Sequence, residues 1–150
     1  MLENTQAEDI QAEEMPSLNH SYICAQIMRQ LLQNESVQPL PELTLDIENG
    51  LTPDISVFKK EKIRPDFFED VLKVKELPLL AVEVISSSQN IQAILKKAKL
   101  LVEAGIETVW VVEPYSRSIF VVSAGDRQLF HEEPVATAGI HVDFSNVFTI

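Results

Sequence analysis

The chain has little of what would tie it to an oxidising compartment, a membrane or a polyanion. It contains one cysteine, Cys24, so it can form no internal disulfide, which fits a reducing compartment. Its apolar runs stop far short of the roughly 20 residues that cross a bilayer. The first fourteen residues carry Glu3, Glu8, Asp9, Glu13 and Glu14 without a Lys or Arg, unlike a secretory signal. A cytoplasmic protein without a membrane segment is expected. Bases are scarce too, with 12 Lys and Arg against 23 Asp and Glu, for a net charge of -11. That balance argues against a dedicated nucleic-acid binder, whose phosphate contacts come from clustered Lys and Arg. The chain shows no internal repeat and no long insert of the kind that reads bases.

The bases present are grouped. Lys59, Lys60, Lys62 and Arg64 form one cluster, and Lys96, Lys97 and Lys99 another. At 150 residues the chain has the usual size of one domain and can bury roughly 70% of its unfolded surface. Residues 1–16 read as an acidic flexible tail and 17–150 as a single domain. Ser17 offers an N-cap for a helix over 18–33, in which Ile23, Ile27, Leu31, Met28 and Leu32 recur at helical spacing. Cys24 reads as a core residue of that helix. Residues 42–47 and 54–58 read as an antiparallel hairpin or meander about Asn49-Gly50. Residues 59–77 read as a loop, with a helical turn over 67–72. Residues 79–85 are apolar except for Glu83, the pattern of a strand buried on both faces. A helix over 91–104 follows, closed by Gly105, and then a strand over 108–112 with a core Trp110, so this unit predicts a right-handed crossover between parallel strands. Strands over 118–123, 128–131 and 140–144 complete an α/β fold, a mixed sheet flanked by helices.

Two acids stand where acids are costly. Asp54 in Pro53-Asp54-Ile55-Ser56-Val57 and Glu83 in Leu80-Ala81-Val82-Glu83-Val84 lie in or at the mouth of apolar runs, and such groups need a partner or a cation. Phosphodiester cleavage uses such a pair, because Mg²⁺ takes a few carboxylates and fills its remaining positions with water, carbonyl and substrate oxygens. Asp54 and Glu83 are the candidate ligands, and the Val84 backbone carbonyl is a third. A lysine can then orient the attacking water or steady the phosphate. Lys97 and Lys99 lie on the flanks of the apolar stripe of the 91–104 helix and Lys96 lies opposite it; Lys97 is the candidate. Read singly, Asp54 could be a turn residue, Glu83 a structural buried acid and Lys97 a solvated helix residue.

These residues match a known pattern. His20 near a helix start, Pro53-Asp54, Glu83-Val84-Ile85-Ser86, Lys97 fourteen residues beyond the glutamate, Gly105-Ile106, Trp110-Val111-Val112-Glu113-Pro114 and the closing 140–148 segment together resemble the Uma-two family of restriction endonucleases, a branch of the PD-(D/E)XK nuclease superfamily. The resemblance covers most of the chain. It implies a restriction-endonuclease-like fold, a Mg²⁺-dependent or Mn²⁺-dependent endonuclease that cuts DNA with metal-activated water, catalytic roles for Asp54, Glu83 and Lys97, a possible part for His20, and dimers among relatives. In the superfamily the lysine usually lies two residues after the glutamate, where this chain has Ile85; in this branch the role has moved to the following helix. Ser87, Gln89, Ala93 and Leu101 depart from the family pattern, and Glu42 is the candidate for a third acid. Asp66, after Pro65, repeats the motif without a following strand. The acidic charge implies low DNA affinity. It also keeps two alternatives in view: a non-catalytic binding or regulatory module that retains the fold, and a hydrolase of another phosphorylated substrate.

Overall fold

The computed structural model describes residues 15–150, so most of the expected acidic tail, residues 1–14, lies outside the described residues. Helix α1 spans Leu18–Leu31, capped by the Ser17 hydroxyl, which accepts the His20 N–H. A six-stranded sheet runs in chain order: β1 (Val37–Pro41), β2 (Ile55–Lys59), β3 (Leu80–Val84), β4 (Thr108–Glu113), β5 (Ser118–Ser123) and β6 (Asp126–His131). Only β3 and β4 pair in parallel. Helix α2 (Ile91–Glu103) makes the crossover between them, as a parallel pair requires. A second, two-stranded sheet, β7 (Pro134–Thr137) with β8 (Ile140–Asp143), leads into the short helix α3 (Phe144–Val147).

Strand alternation sends side chains to two cores. On one face Val82, Val84, Trp110 and Val112 meet α1 through Ile23, Ile27 and Leu31, together with β7, β8 and α3. On the other, Ala81, Ile85, Val109 and Val111 meet α2 through Ala98 and Leu101. Trp110 is fully buried, stands edge-on to Phe144 and donates its indole N–H to Thr137 Oγ1 at 3.0 Å. Gln30 fixes α1 to β8 by a paired bond, donating to the Asp143 carbonyl at 3.0 Å and accepting the Asp143 N–H at 2.8 Å.

The structure departs from the sequence reading in four places. The strand partner of β2 is Val37–Pro41, not 42–47, where Leu45 makes only isolated bridges to Leu51 and Val74. Pro39 and Pro41 weigh against a strand, yet β1 is an edge, where a missing N–H costs nothing. Residues 67–72 form bends rather than a helical turn, while a 3-10 turn lies at Lys60–Lys62. Strand β7 goes unread because Pro134 and its short length mask it. Finally, residue 144 begins α3 rather than ending a strand.

Candidate metal and catalytic centre

Asp54, Glu83, Lys97 and His20 lie together where β2 and β3 part. Glu83 sits between Ala81 and Ile85 on the α2 side of β3 and is 3% exposed. Lys97, on the flank of α2 facing this strand, brings its Nζ to 2.6 Å from Glu83 Oε2 and donates to the Thr52 carbonyl at 3.0 Å. Lys96 is exposed, and Lys99 lines a separate shallow cavity with Leu95 and Arg127.

Asp54 immediately precedes β2. Its N–H donates to Glu83 Oε1 at 3.2 Å, and its Oδ2 accepts the Val84 N–H at 2.7 Å. The same Oδ2 lies 3.1 Å from His20 Nε2, which arrives from α1 on the opposite face. Asp54 therefore joins the two layers at the end of the β2–β3 pair. His20 continues the stripe of Ile23, Ile27 and Leu31, so burial of α1 aims its ring inward.

Strand register leaves one carbonyl open. Ile55 pairs with Val82, so the ladder continued by two residues sets Val84 opposite Pro53. The Ile85 N–H points to β4, bonding the Val112 carbonyl at 2.9 Å, so the Val84 N–H and carbonyl point the other way. Proline has no N–H to give that carbonyl. Asp54 supplies a side-chain acceptor for the Val84 N–H, and the carbonyl keeps its lone pairs.

Electrostatics match this crowding. Burial pushes the Glu83 carboxyl up to about 7; Asp54 adds to the rise and Lys97 opposes it. His20 is raised by its hydrogen bond to Asp54 against the cost of burial, with Glu42 and Glu83 adding to the rise. The Cys24 thiol, 4.0 Å from His20 Nε2, is pushed up to about 12 by burial. His20, Cys24 and Asp54 lie close enough to share an ion. That set, with its thiol and imidazole, suits a softer ion, whereas the oxygens of Asp54, Glu83 and the Val84 carbonyl would suit a hard cation.

The remaining sequence candidates fall outside this cluster or at its rim. Asp66 is exposed and bonded to the Phe68 N–H. Glu42 donates its backbone N–H to the Asp54 carbonyl at 3.0 Å, adopts a left-handed φ of 49° and keeps an exposed side chain. Glu113 is turned into the β4–β5 connection, accepting from the Tyr115 and Ser116 N–H groups. Beside the cluster, a cavity of about 280 Å³ opens between the start of α1 and the ends of β3 and β4, lined by Ser17, Asn19, Ser86, Glu113 and Tyr115 among others. The sequence reading does not identify this cavity, because it joins three connections far apart in the chain.

A family model, Uma2 (Uma-two), described as "putative restriction endonuclease", matches residues 7–144. No curated protein is significantly similar in sequence. Among solved structures, a "putative nuclease belonging to DUF820" from Anabaena variabilis superposes with a TM-score of 0.75 at 20% identity, over 89% of this chain and 82% of that one. It establishes the likeness of fold. A DrdV–DNA complex gives a TM-score of 0.49 at 11% identity, over 96% of this chain and 12% of that one. No helix among the described residues is long and apolar enough to cross a membrane.

Proposed function

The chain belongs to the Uma2 family, whose description is "putative restriction endonuclease", and from that premise we propose that it is a metal-dependent endonuclease that hydrolyses DNA phosphodiester bonds. The observation that carries the reading is Glu83: an acid 3% exposed in a β-strand, bonded to the Asp54 N–H through one oxygen and held 2.6 Å from Lys97 Nζ through the other. Buried acids in such surroundings mark functional sites more often than structural ones. Asp54, Glu83 and the Val84 carbonyl would hold Mg²⁺ or Mn²⁺, hard cations that take oxygen ligands. Such an ion, when bound, renders a water acidic and offsets charge on the phosphate.

The chain's own groups then have distinct tasks. Lys97, anchored on the Thr52 carbonyl, is placed to orient the attacking water or to hold a phosphate oxygen. His20 acts as a positioning residue that fixes the Asp54 carboxylate through Oδ2. The neighbouring cavity of about 280 Å³ is where a nucleotide flanking the scissile phosphate would lie. DNA is the partner this chemistry implies, bound weakly because the net charge of -11 repels it. Cutting both strands of a duplex would favour a homodimer with two such sites. The single cysteine, Cys24, fits a reducing compartment, so the chain would work in the cytoplasm.

One observation favours a second reading, a non-catalytic binding or regulatory module. Lys97 already neutralises Glu83 at 2.6 Å and could stand permanently where a metal would otherwise be needed. Calorimetric titration of Mg²⁺ and Mn²⁺ into the wild type and Glu83→Gln, with plasmid nicking followed in the same samples, separates the two. Metal binding and nicking in the wild type, both lost in the variant, support the endonuclease. Metal binding with no cleavage supports the module, and a wild type that binds no metal even with DNA present overturns the metal site.

A further inference from the structure

Cys24, the chain's single thiol, stands beside the site and has no task in the cutting chemistry. It follows His20 by four residues on α1, the spacing that sets two side chains on one helix face a turn apart. Paired metal ligands on helices use the same spacing. Burial of Ile23, Ile27 and Leu31 turns this side of α1 to the sheet, and Cys24, half-buried, packs against the same core. Asp54 meets the pair from the residue before β2. A core cysteine would be satisfied among apolar neighbours, whereas this sulfur lies 4.0 Å from an imidazole that is itself paired with a carboxylate.

The distances suit a bound ion. His20 Nε2 is 3.1 Å from Asp54 Oδ2 and 4.0 Å from Cys24 Sγ, and the three donor atoms all lie within 4.8 Å of one another. A tetrahedral ion with bonds of about 2.0–2.3 Å holds such donors roughly 3.3–3.8 Å apart, so small side-chain rotations close the set. We propose that His20 Nε2, Cys24 Sγ and Asp54 Oδ2 form a site for a borderline-soft divalent transition-metal ion, Zn²⁺ by preference, separate from the oxygen set offered to a hard cation. Imidazole and thiolate select such an ion over Mg²⁺. The Asp54 side chain is 22% exposed, which gives the ion a way in and leaves its fourth position to water. On ligation the thiol proton passes to solvent and His20 binds as the neutral imidazole. Glu42 adds negative potential at both His20 and Cys24, which favours a cation there.

Asp54 belongs to both sets, so the two ions are linked. An ion held by His20 and Cys24 draws Asp54 Oδ2 towards α1 and away from the Val84 N–H, which it accepts at 2.7 Å, so Zn²⁺ acts as an antagonist of Mg²⁺. The site rests on its own geometry; the antagonism rests on the metal site of the endonuclease reading.

Co²⁺ titrated into the full chain and followed by absorbance tests the proposal. Thiolate-bound Co²⁺ gives a charge-transfer band in the near ultraviolet, and tetrahedral Co²⁺ gives strong visible bands. The wild type is expected to show both and to lose both when Zn²⁺ is added. Cys24→Ser should abolish the charge-transfer band and weaken Zn²⁺ binding about tenfold or more, with circular dichroism unchanged. Mg²⁺ affinity, read by calorimetry, should fall about tenfold when Zn²⁺ saturates the wild type. A wild type without the charge-transfer band, or a Cys24→Ser variant that binds Zn²⁺ as tightly as the wild type, would overturn the site. Mg²⁺ binding that is indifferent to bound Zn²⁺ would overturn the sharing of Asp54. A wild type that holds Co²⁺ through Cys24 yet binds no Mg²⁺ and cuts no DNA would count against the endonuclease reading and leave this site standing.

Discussion

Glu83 is held between two demands. A buried carboxyl pushed up to about 7 is costly to ionise, yet the proposed role as a metal ligand needs it ionised. In the unfolded chain it titrates near 4.5, so the fold retains a proton that the unfolded chain has lost, and stability falls as pH climbs from 4.5 through 7. The raised His20 acts with the same sign, since its favourable contact with Asp54 is complete below its unfolded pKa and is lost as pH rises through the folded one. The urea midpoint will therefore fall between about pH 5 and 8, and Glu83→Gln will flatten that slope while abolishing metal binding. A midpoint that rises with pH would contradict this account. Mg²⁺ affinity, read by calorimetry in buffers of different ionisation enthalpy, will increase through about pH 7 with proton release. Lys97→Ala is expected to lower nicking by about 100-fold or more and to leave the chain folded. At this scale the sequence was informative: a charged residue in an apolar strand and a lysine on a helix flank are visible as violations of pattern. A part for His20 in the site was visible only through resemblance, and its partnership with Asp54 was not visible at all, because no spacing rule links a helix start to a strand 34 residues later.

Among the elements, α2 matters most for the site, because it alone carries Lys97. Its N-cap is Asn90, whose side chain accepts from the Gln92 N–H at 2.8 Å and the Ala93 N–H at 3.4 Å. Asn90→Ala will cost about 1 kcal/mol, a fall in Tm of roughly 2–4 °C by calorimetry, with metal affinity unaltered. The end of α2 is less tolerant. Gly105 has φ +118°, and a Cβ there would lie 2.9 Å from Leu77 Cδ1, so Gly105→Ala combines backbone strain with a clash. It will destabilise by more than Asn90→Ala in the same experiment. The periodicity of α1, α2, β3 and β4 made them legible, as did the parallel pairing that a helical crossover imposes. Strand β1 was not, because Pro39 and Pro41 speak against a strand unless its edge position is known. Residues 42–47 alternate like a strand, but Glu42 with its left-handed φ leaves the ladder after Pro41, and only Leu45 finds bridges.

In the whole molecule, the sheet is covered on both faces, and Asp54 takes His20 from one layer while Glu83 takes Lys97 from the other. Divalent cations that join Asp54 and Glu83 will raise Tm in proportion to the logarithm of their concentration, an effect expected to vanish in Glu83→Gln. DNA binding, followed by anisotropy with Ca²⁺ in place of Mg²⁺, will weaken with salt along a shallow slope, since only a few lysines would contact phosphates. The two-layer arrangement also bears on biosynthesis. As the chain leaves the ribosome, His20, Asp54 and Glu83 emerge before Lys97, and α2 packs on a surface that includes β4, which follows it in the chain. A nascent copy thus carries the acids before the lysine, and the arrangement that the proposed chemistry needs exists only once the two layers have closed on the sheet.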